Sequence, residues 1–212
     1  MIKKIIYTLL PIMLVFNVSA KEIDKTKPYE MMKQVSEHTF ARLKAEQNRI
    51  RKEPNYLKVV VDEEMMPYVN EKYAALKLLG PNLKGAKRAD VSEFIRAFRG
   101  YLVTSYAQAL TQYSNQKIEF GPMPKLEEGK SITKIKVEII DSPRPNIQLE
   151  FKLRRNKKTG EWKAFDLIAE GISLLDSKQS EWSTKIRQDG ILSVAKDLEK
   201  LAETPIRFES DN

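Results

Sequence analysis

Apolar residues recur along this chain with two different periods, and the change of period divides it into three stretches. The spacing is helical over 27–113, alternates every second residue over 116–170, and is helical again over 171–203. In the first stretch Met32, Val35, Thr39, Leu43 and Ile50 form one stripe, which predicts a helix from about Pro28 to Arg51, ended by Pro54. Leu57, Val60, Val61 and Met65 predict a second helix over 55–66, broken at Pro67. A third piece over 68–79 stops at Gly80-Pro81. After a polar loop, Asp90 with Glu93 three residues on has the form of an N-cap and capping box. The helix predicted over 91–113 carries a broad stripe: Val91, Phe94, Ile95, Phe98, Tyr101, Leu102, Ser105, Tyr106, Ala109 and Tyr113. A face that long and that aromatic must bury against something large.

The middle stretch reads as strands. Ile135, Val137 and Ile139 alternate with Lys134, Lys136 and Glu138, and Ile147, Leu149, Phe151 and Leu153 alternate with Gln148, Glu150 and Lys152. Each strand therefore has one wet face and one buried face. Ser142 to Pro145 joins them, and Asn156 to Gly160 forms the next hairpin turn, where glycine supplies positive φ. Trp162–Ala169 is a further strand and Lys117–Phe120 an earlier one. The last stretch holds two amphipathic pieces separated by Gly190: Ile172, Leu175, Trp182 and Ile186, then Ile191, Val194, Leu198 and Leu201. The sum is an α+β fold, an antiparallel meander with helices on one face.

The first 20 residues stand apart. Lys3 and Lys4 precede an apolar run from Ile5 to Phe16, and Val18-Ser19-Ala20 places small residues where a signal peptidase reads. The run is shorter than the roughly 20 residues a bilayer span needs. Residues 1–20 thus read as a cleavable signal peptide, and 21–212 as a single exported domain. Losing Lys3 and Lys4 lowers the formal charge from +8 to +6. That modest surplus suits an anionic partner such as a membrane surface or an acidic protein face, and equally suits plain solubility. The chain has no cysteine, which excludes disulfides, thiolate chemistry and a lipoprotein anchor, and its single histidine, His38, excludes a histidine-rich metal site.

Catalytic signatures are wanting. Gly80 and Gly85 have the spacing of a phosphate loop, but Ala86 stands where the lysine is needed and Pro81 removes an N–H. Glu63 and Glu64 are adjacent, so on an α-helix they point about 100° apart and make no dyad. Asp166, in an otherwise apolar strand, needs partners if buried. The clearest charge feature is the hairpin bearing Lys152, Arg154, Arg155, Lys157 and Lys158, with no acid among them. It reads either as a solvated tip that blocks edge aggregation or as a docking site for an anionic surface.

One set of residues carries a resemblance. It runs Pro28-Tyr29, Met31-Met32, Thr39-Phe40, Arg42-Leu43-Lys44, Ile50-Arg51, Pro54 and Tyr56-Leu57. It continues through Val61-Asp62-Glu63-Glu64, Pro67-Tyr68-Val69, Lys72-Tyr73-Ala74, Phe94, Phe98, Tyr101-Leu102, Tyr106 and Ala109-Leu110. It closes with Trp162, Asp166, Ile168-Ala169-Glu170-Gly171, Ser173 and Glu181-Trp182. In this order and over nearly the whole mature chain, the pattern resembles the MlaC (toluene-tolerance) family of periplasmic phospholipid-binding proteins of Gram-negative bacteria. The resemblance implies a curved mixed or antiparallel sheet, similar to that of nuclear transport factors, wrapped by N- and C-terminal helices that enclose an apolar cavity. It implies a periplasmic carrier that shuttles phospholipid between an outer-membrane lipoprotein–porin complex and an inner-membrane ABC transporter with a periplasmic lipid-binding ring, maintaining outer-membrane lipid asymmetry. It further implies a monomer with no catalytic residue, no cofactor beyond the phospholipid cargo and no nucleic-acid partner. The family has no compact pocket motif, so candidate lipid-binding residues come from the apolar faces alone: Phe98, Tyr101, Val137, Ile139, Leu149, Phe151 and Leu167. The basic hairpin is the candidate docking site. Two other functions fit the same residues: a ligand-free adaptor between membrane complexes, and a periplasmic enzyme using Asp166 as acid or base.

Overall fold

A computed structural model of the chain describes residues 22–209, so the expected signal peptide lies outside the described residues. Helix α1 (Pro28–Ala45) has proline in its first turn and buries Met31, Met32, Val35, Thr39 and Leu43. It does not run on to Arg51. The ladder breaks at Glu46, and a short α2 (Gln47–Lys52) follows, turning Ile50 into the interior. No backbone group is stranded at the break: Glu46 N–H donates to Arg42, and its carbonyl accepts from Arg49 and Ile50.

The helix expected over 55–66 is three pieces. α3 (Tyr56–Val60) passes into a π-turn (Val61–Met65) and then a 3-10 turn (Met66–Tyr68). Pro67 has no N–H to give, and its ring would meet a carbonyl four residues back, so an α ladder cannot pass through it. The chain next touches strand β4 (Trp162–Ala169): Val69 forms a parallel bridge with Ala164, and Asn70 N–H donates to the Ala164 carbonyl at 2.6 Å. Only then does α4 (Glu71–Leu79) begin, with the Asn70 side chain accepting from Tyr73 N–H. A 3-10 turn (Gly80–Leu83) leads to α5 (Arg88–Leu110). Asp90 is not its cap. The helix starts two residues earlier, and Glu93 pairs with Arg96 instead of reaching back.

The sheet is a five-stranded antiparallel meander in chain order: β1 (Lys117–Phe120), β2 (Ile132–Ile140), β3 (Ile147–Arg155), β4, and a two-residue β5 (Ile172–Ser173). Glu170 and Gly171, both at positive φ, make the two-residue turn into β5. Helices α6 (Leu174–Asp189) and α7 (Ile191–Glu203) complete the chain, hinged at Gly190. Ser173 caps α6 by accepting from Asp176 N–H.

Three apolar clusters hold these elements. The largest joins α4, α5, α6 and α7 around Phe94, Phe98 and Trp182, with Phe165 of β4. A second joins α1, α2, α3 and α5 around Leu57, Val60, Val103 and Ile206. The third packs α1, through Met31, Met32 and Val35, onto Ile135, Val137, Leu153 and Trp162 of the sheet. Helix α5 packs closely on α7, α3 and α4, whereas the sheet is met by α1, through the third cluster, and by α4 and α6 at β4.

Candidate functional site

Packed against the clusters are apolar side chains that are neither buried nor exposed. On α5 these are Tyr101, Leu102 and Tyr106. Phe40, Met65, Val69 and Tyr113 continue the set at the second cluster, and Tyr68, Ile118, Phe120, Leu149 and Phe151 at the third. Tyr106 is informative. Its phenol is pushed up to about 12, by burial first and by the negative charge of Asp166 second. Yet the residue is only half-buried.

A cleft of about 460 Å³ between α1 and β1 is lined by Tyr29, Lys33, Ser36, Glu37, Phe40, Tyr113, Gln116, Ile118 and Phe120. Its size falls within the range of ordinary ligand sites, roughly 300–1,000 Å³. Aromatic contacts shape its walls. Phe40 lies 4.4 Å from Tyr113, and Tyr29 meets Phe120 edge-on while its hydroxyl donates to the Gly121 carbonyl.

The seven lipid candidates divide. Register pairs Val137 with Leu149 and Phe120, Ile139 with Ile147 and Ile118, and Phe151 with Ile135 and Leu167. Directly opposed residues share a face, so Val137, Ile139, Leu149, Phe151 and Leu167 all lie on the face that carries the cleft residues Ile118 and Phe120. Four of these five are half-buried, and Val137 is fully covered, within the third cluster. Tyr101 is half-buried on α5, with its ring edge-on to Trp182. Phe98 sits apart: it is 3 % exposed, between Phe94 and Trp182 in the largest cluster. The cleft residues Tyr29, Phe40, Ile118, Phe120 and Tyr113 are not among the seven. Ile118 and Phe120 sit in a strand too short to display a period, and Phe40 lies off the main stripe of α1.

The polar candidates find partners. Asp166 is buried and accepts from Lys152 Nζ (3.0 Å), Ser173 Oγ (2.8 Å) and Leu175 N–H (3.1 Å), which ties β3 and β4 to the start of α6. This geometry is that of a structural carboxylate with its lone pairs occupied. Lys152 is thereby drawn out of the basic cluster, and Arg154 lays its guanidinium over the Tyr73 ring at 4.4 Å. Arg155, Lys157 and Lys158 remain exposed at the hairpin tip. His38 is exposed on α1. Glu63 and Glu64, expected to diverge, lie on the π-turn and are brought together by a shared cation. Both reach Arg42 Nη1, at 2.6 and 2.8 Å. Among the described residues no group of acidic or histidine side chains is arranged to hold a metal ion.

Comparison with known proteins meets this geometry. The family model described as MlaC protein matches residues 33–200. The intermembrane phospholipid transport system binding protein MlaC of Haemophilus influenzae is 35 % identical over 194 residues, covering 91 % of this chain and 90 % of that one. A solved structure of a phospholipid-binding protein from Ralstonia solanacearum, in complex with a phospholipid, superposes with a TM-score of 0.70 at 16 % identity. It covers 81 % of this chain and 94 % of its own, a likeness of fold.

Proposed function

The chain belongs to the MlaC family, and on that premise we propose that it is a phospholipid carrier of the periplasm, exported by residues 1–20 and mature from Lys21. It takes lipid from one membrane system and delivers it to the other, between an outer-membrane lipoprotein–porin complex and an inner-membrane ABC transporter. It does so without chemistry on the lipid. Two acyl chains of about 15 methylenes each, at roughly 0.8 kcal/mol per methylene, cost about 24 kcal/mol to expose to water. A carrier must therefore offer apolar walls that stay apart when empty.

One observation supports this reading above the rest. Tyr101, Leu102 and Tyr106 on α5 and Leu149, Phe151 and Leu167 on the sheet are half-buried at the very positions where a dry core would cover them. These residues are the proposed acyl-chain walls, with Ile139 at the same face and the α1–β1 cleft as an opening. Phe98 and Val137 are fully covered within the first and third clusters and are left out of the proposed walls. Arg155, Lys157 and Lys158 are the proposed docking charges. The test is organic extraction of gently purified mature protein followed by lipid mass spectrometry. One diacyl phospholipid per chain is expected, and repeated absence of lipid would refute the proposal.

A further inference from the structure

Three adjacent acids sit on the π-turn, and arginines from two other helices hold all of them. Arg99 of α5 reaches Asp62 at 2.5 Å. Arg42 of α1 takes Glu63 and Glu64 through a single nitrogen. Its Nε also donates to Glu46 at 3.1 Å, and its Nη2 to the Tyr56 phenol at 2.9 Å. Only 19 % of the Arg42 side chain is exposed. It is a largely covered guanidinium with its fork occupied, unlike a surface pair of small worth.

A π-turn holds one residue more than the α-helix it interrupts. Releasing that residue would return the segment to α geometry and rotate everything after it by about 100°. What comes after is the strap that closes helices onto sheet. Met65 and Val69 pack at the second cluster, Tyr68 at the third, and Asn70 bonds to β4. Neighbouring side chains diverge in a π-turn as in an α-helix, so Glu63 and Glu64 come together only by both reaching inward to the one Arg42 nitrogen.

We propose that Arg42 is a positioning residue for the lipid site. By gathering Glu63 and Glu64 it fixes the π register, and so sets Met65, Tyr68 and Val69 as the wall that retains the acyl chains. This rests on the reading of the chain as a phospholipid carrier. Lysine cannot replace Arg42, since a point donor lacks the fork.

The test uses the full mature chain as wild type, Arg42→Lys, Arg42→Met and Glu63→Ala/Glu64→Ala. The last leaves the guanidinium held by Glu46 and Tyr56, which guards against simple misfolding. Each is loaded with a pyrene-labelled phosphatidylethanolamine, and release is followed into excess phosphatidylcholine vesicles. Amide hydrogen exchange is measured on the lipid-free chains. All three variants should release lipid about tenfold faster or more, the loss of one charge-assisted bond. They should also exchange faster over 61–70 while β2 to β4 keep wild-type protection. Wild-type release together with wild-type exchange over 61–70 in Arg42→Lys would overturn the assignment. Faster exchange throughout the chain would overturn it too, by making Arg42 a general stability residue. A wild type that takes up no lipid would sink the carrier reading, and the exchange arm would still decide whether Arg42 fixes the register.

Discussion

Helix α5 has two faces that meet the rest of the protein in opposite ways. One face is made of small residues and lets α7 approach closely, with an open surface pocket of about 370 Å³ beside the contact at Gly100, Val103 and Thr104. Ala97, Val103, Thr104 and Ala107 are buried, and a Cβ placed on Gly100 would stand 3.0 Å from the Cβ of Ala202. Thr104 donates to the Ala202 carbonyl at 2.7 Å, and Lys58 reaches the carbonyls of Ala202 and Thr204. The other face is made of large residues and is loose. From Tyr101 onward its apolar side chains are half-buried, and Ala109 is exposed. The hydrophobic stripe is therefore core at Phe94 and Phe98 and only half-covered from Tyr101 onward, the part proposed above as a wall. A helix can approach another closely only where its side chains are short, and large rings held apart leave a gap.

The sharpest way to break this contrast is to cut into the packed end of the stripe. Phe94 is fully buried and stacked on Phe98. Phe94→Ala should cost about 3–5 kcal/mol in urea unfolding. Phe98→Ala should fall in the same range, and a much smaller loss would return Phe98 to the cavity wall. On the tight face, Gly100→Leu should cost about 1–3 kcal/mol through overpacking against Ala202. Wall substitutions should be milder for the empty protein. Leu102→Ala should cost less than about 1.5 kcal/mol, below the usual range for a core leucine, and should reduce lipid loading more than stability.

A smaller effect sharpens the contrast by pH. The Tyr106 phenol is pushed up to about 12, so in the unfolded chain it loses its proton first, near 10. Stability should then fall as pH rises from about 10 to about 12, and Tyr106→Phe should flatten that slope in alkaline unfolding curves. The mildest expected effect lies far from the walls. Arg155→Glu/Lys157→Glu should slow transfer to acceptor at low salt and leave bound lipid in place. The difference should vanish at high salt, where exposed charges more than about 8 Å apart are screened.

The strands were legible in the sequence because burial on one face leaves a period of two. Ile132–Ile140 and Ile147–Arg155 surround the alternating residues closely. The breaks in the helices were not legible. Glu46 has ordinary helix propensity, and nothing local marks it as an end. Pro67 marks the end of the α ladder, but the partner of the π-turn, Arg42 across from Glu63 and Glu64, lies some twenty residues away and no local pattern points to it. The basic hairpin was legible as charge but not as partners. Lys152 faces Asp166 through a cross-strand register interrupted between Lys152 and Leu153, which no local pattern reveals. The half-buried apolar residues proposed as walls were legible where alternation or helical spacing displayed them, and the cleft residues of β1 and Phe40 were not, because the segment was short or off its stripe.

Bound lipid is expected against the loose face of α5 and the half-buried sheet face, and not elsewhere. A phosphatidylcholine bearing a diazirine midway along one acyl chain, bound to the mature protein and irradiated, tests this directly. Labelled peptides should contain Tyr101 to Tyr106 and the strand segments with Leu149, Phe151 and Leu167, with adducts resolved to those side chains. Adducts concentrated on Ala97, Thr104 or the α7 residues against them, or confined to the hairpin tip at Arg155 to Lys158, would contradict it.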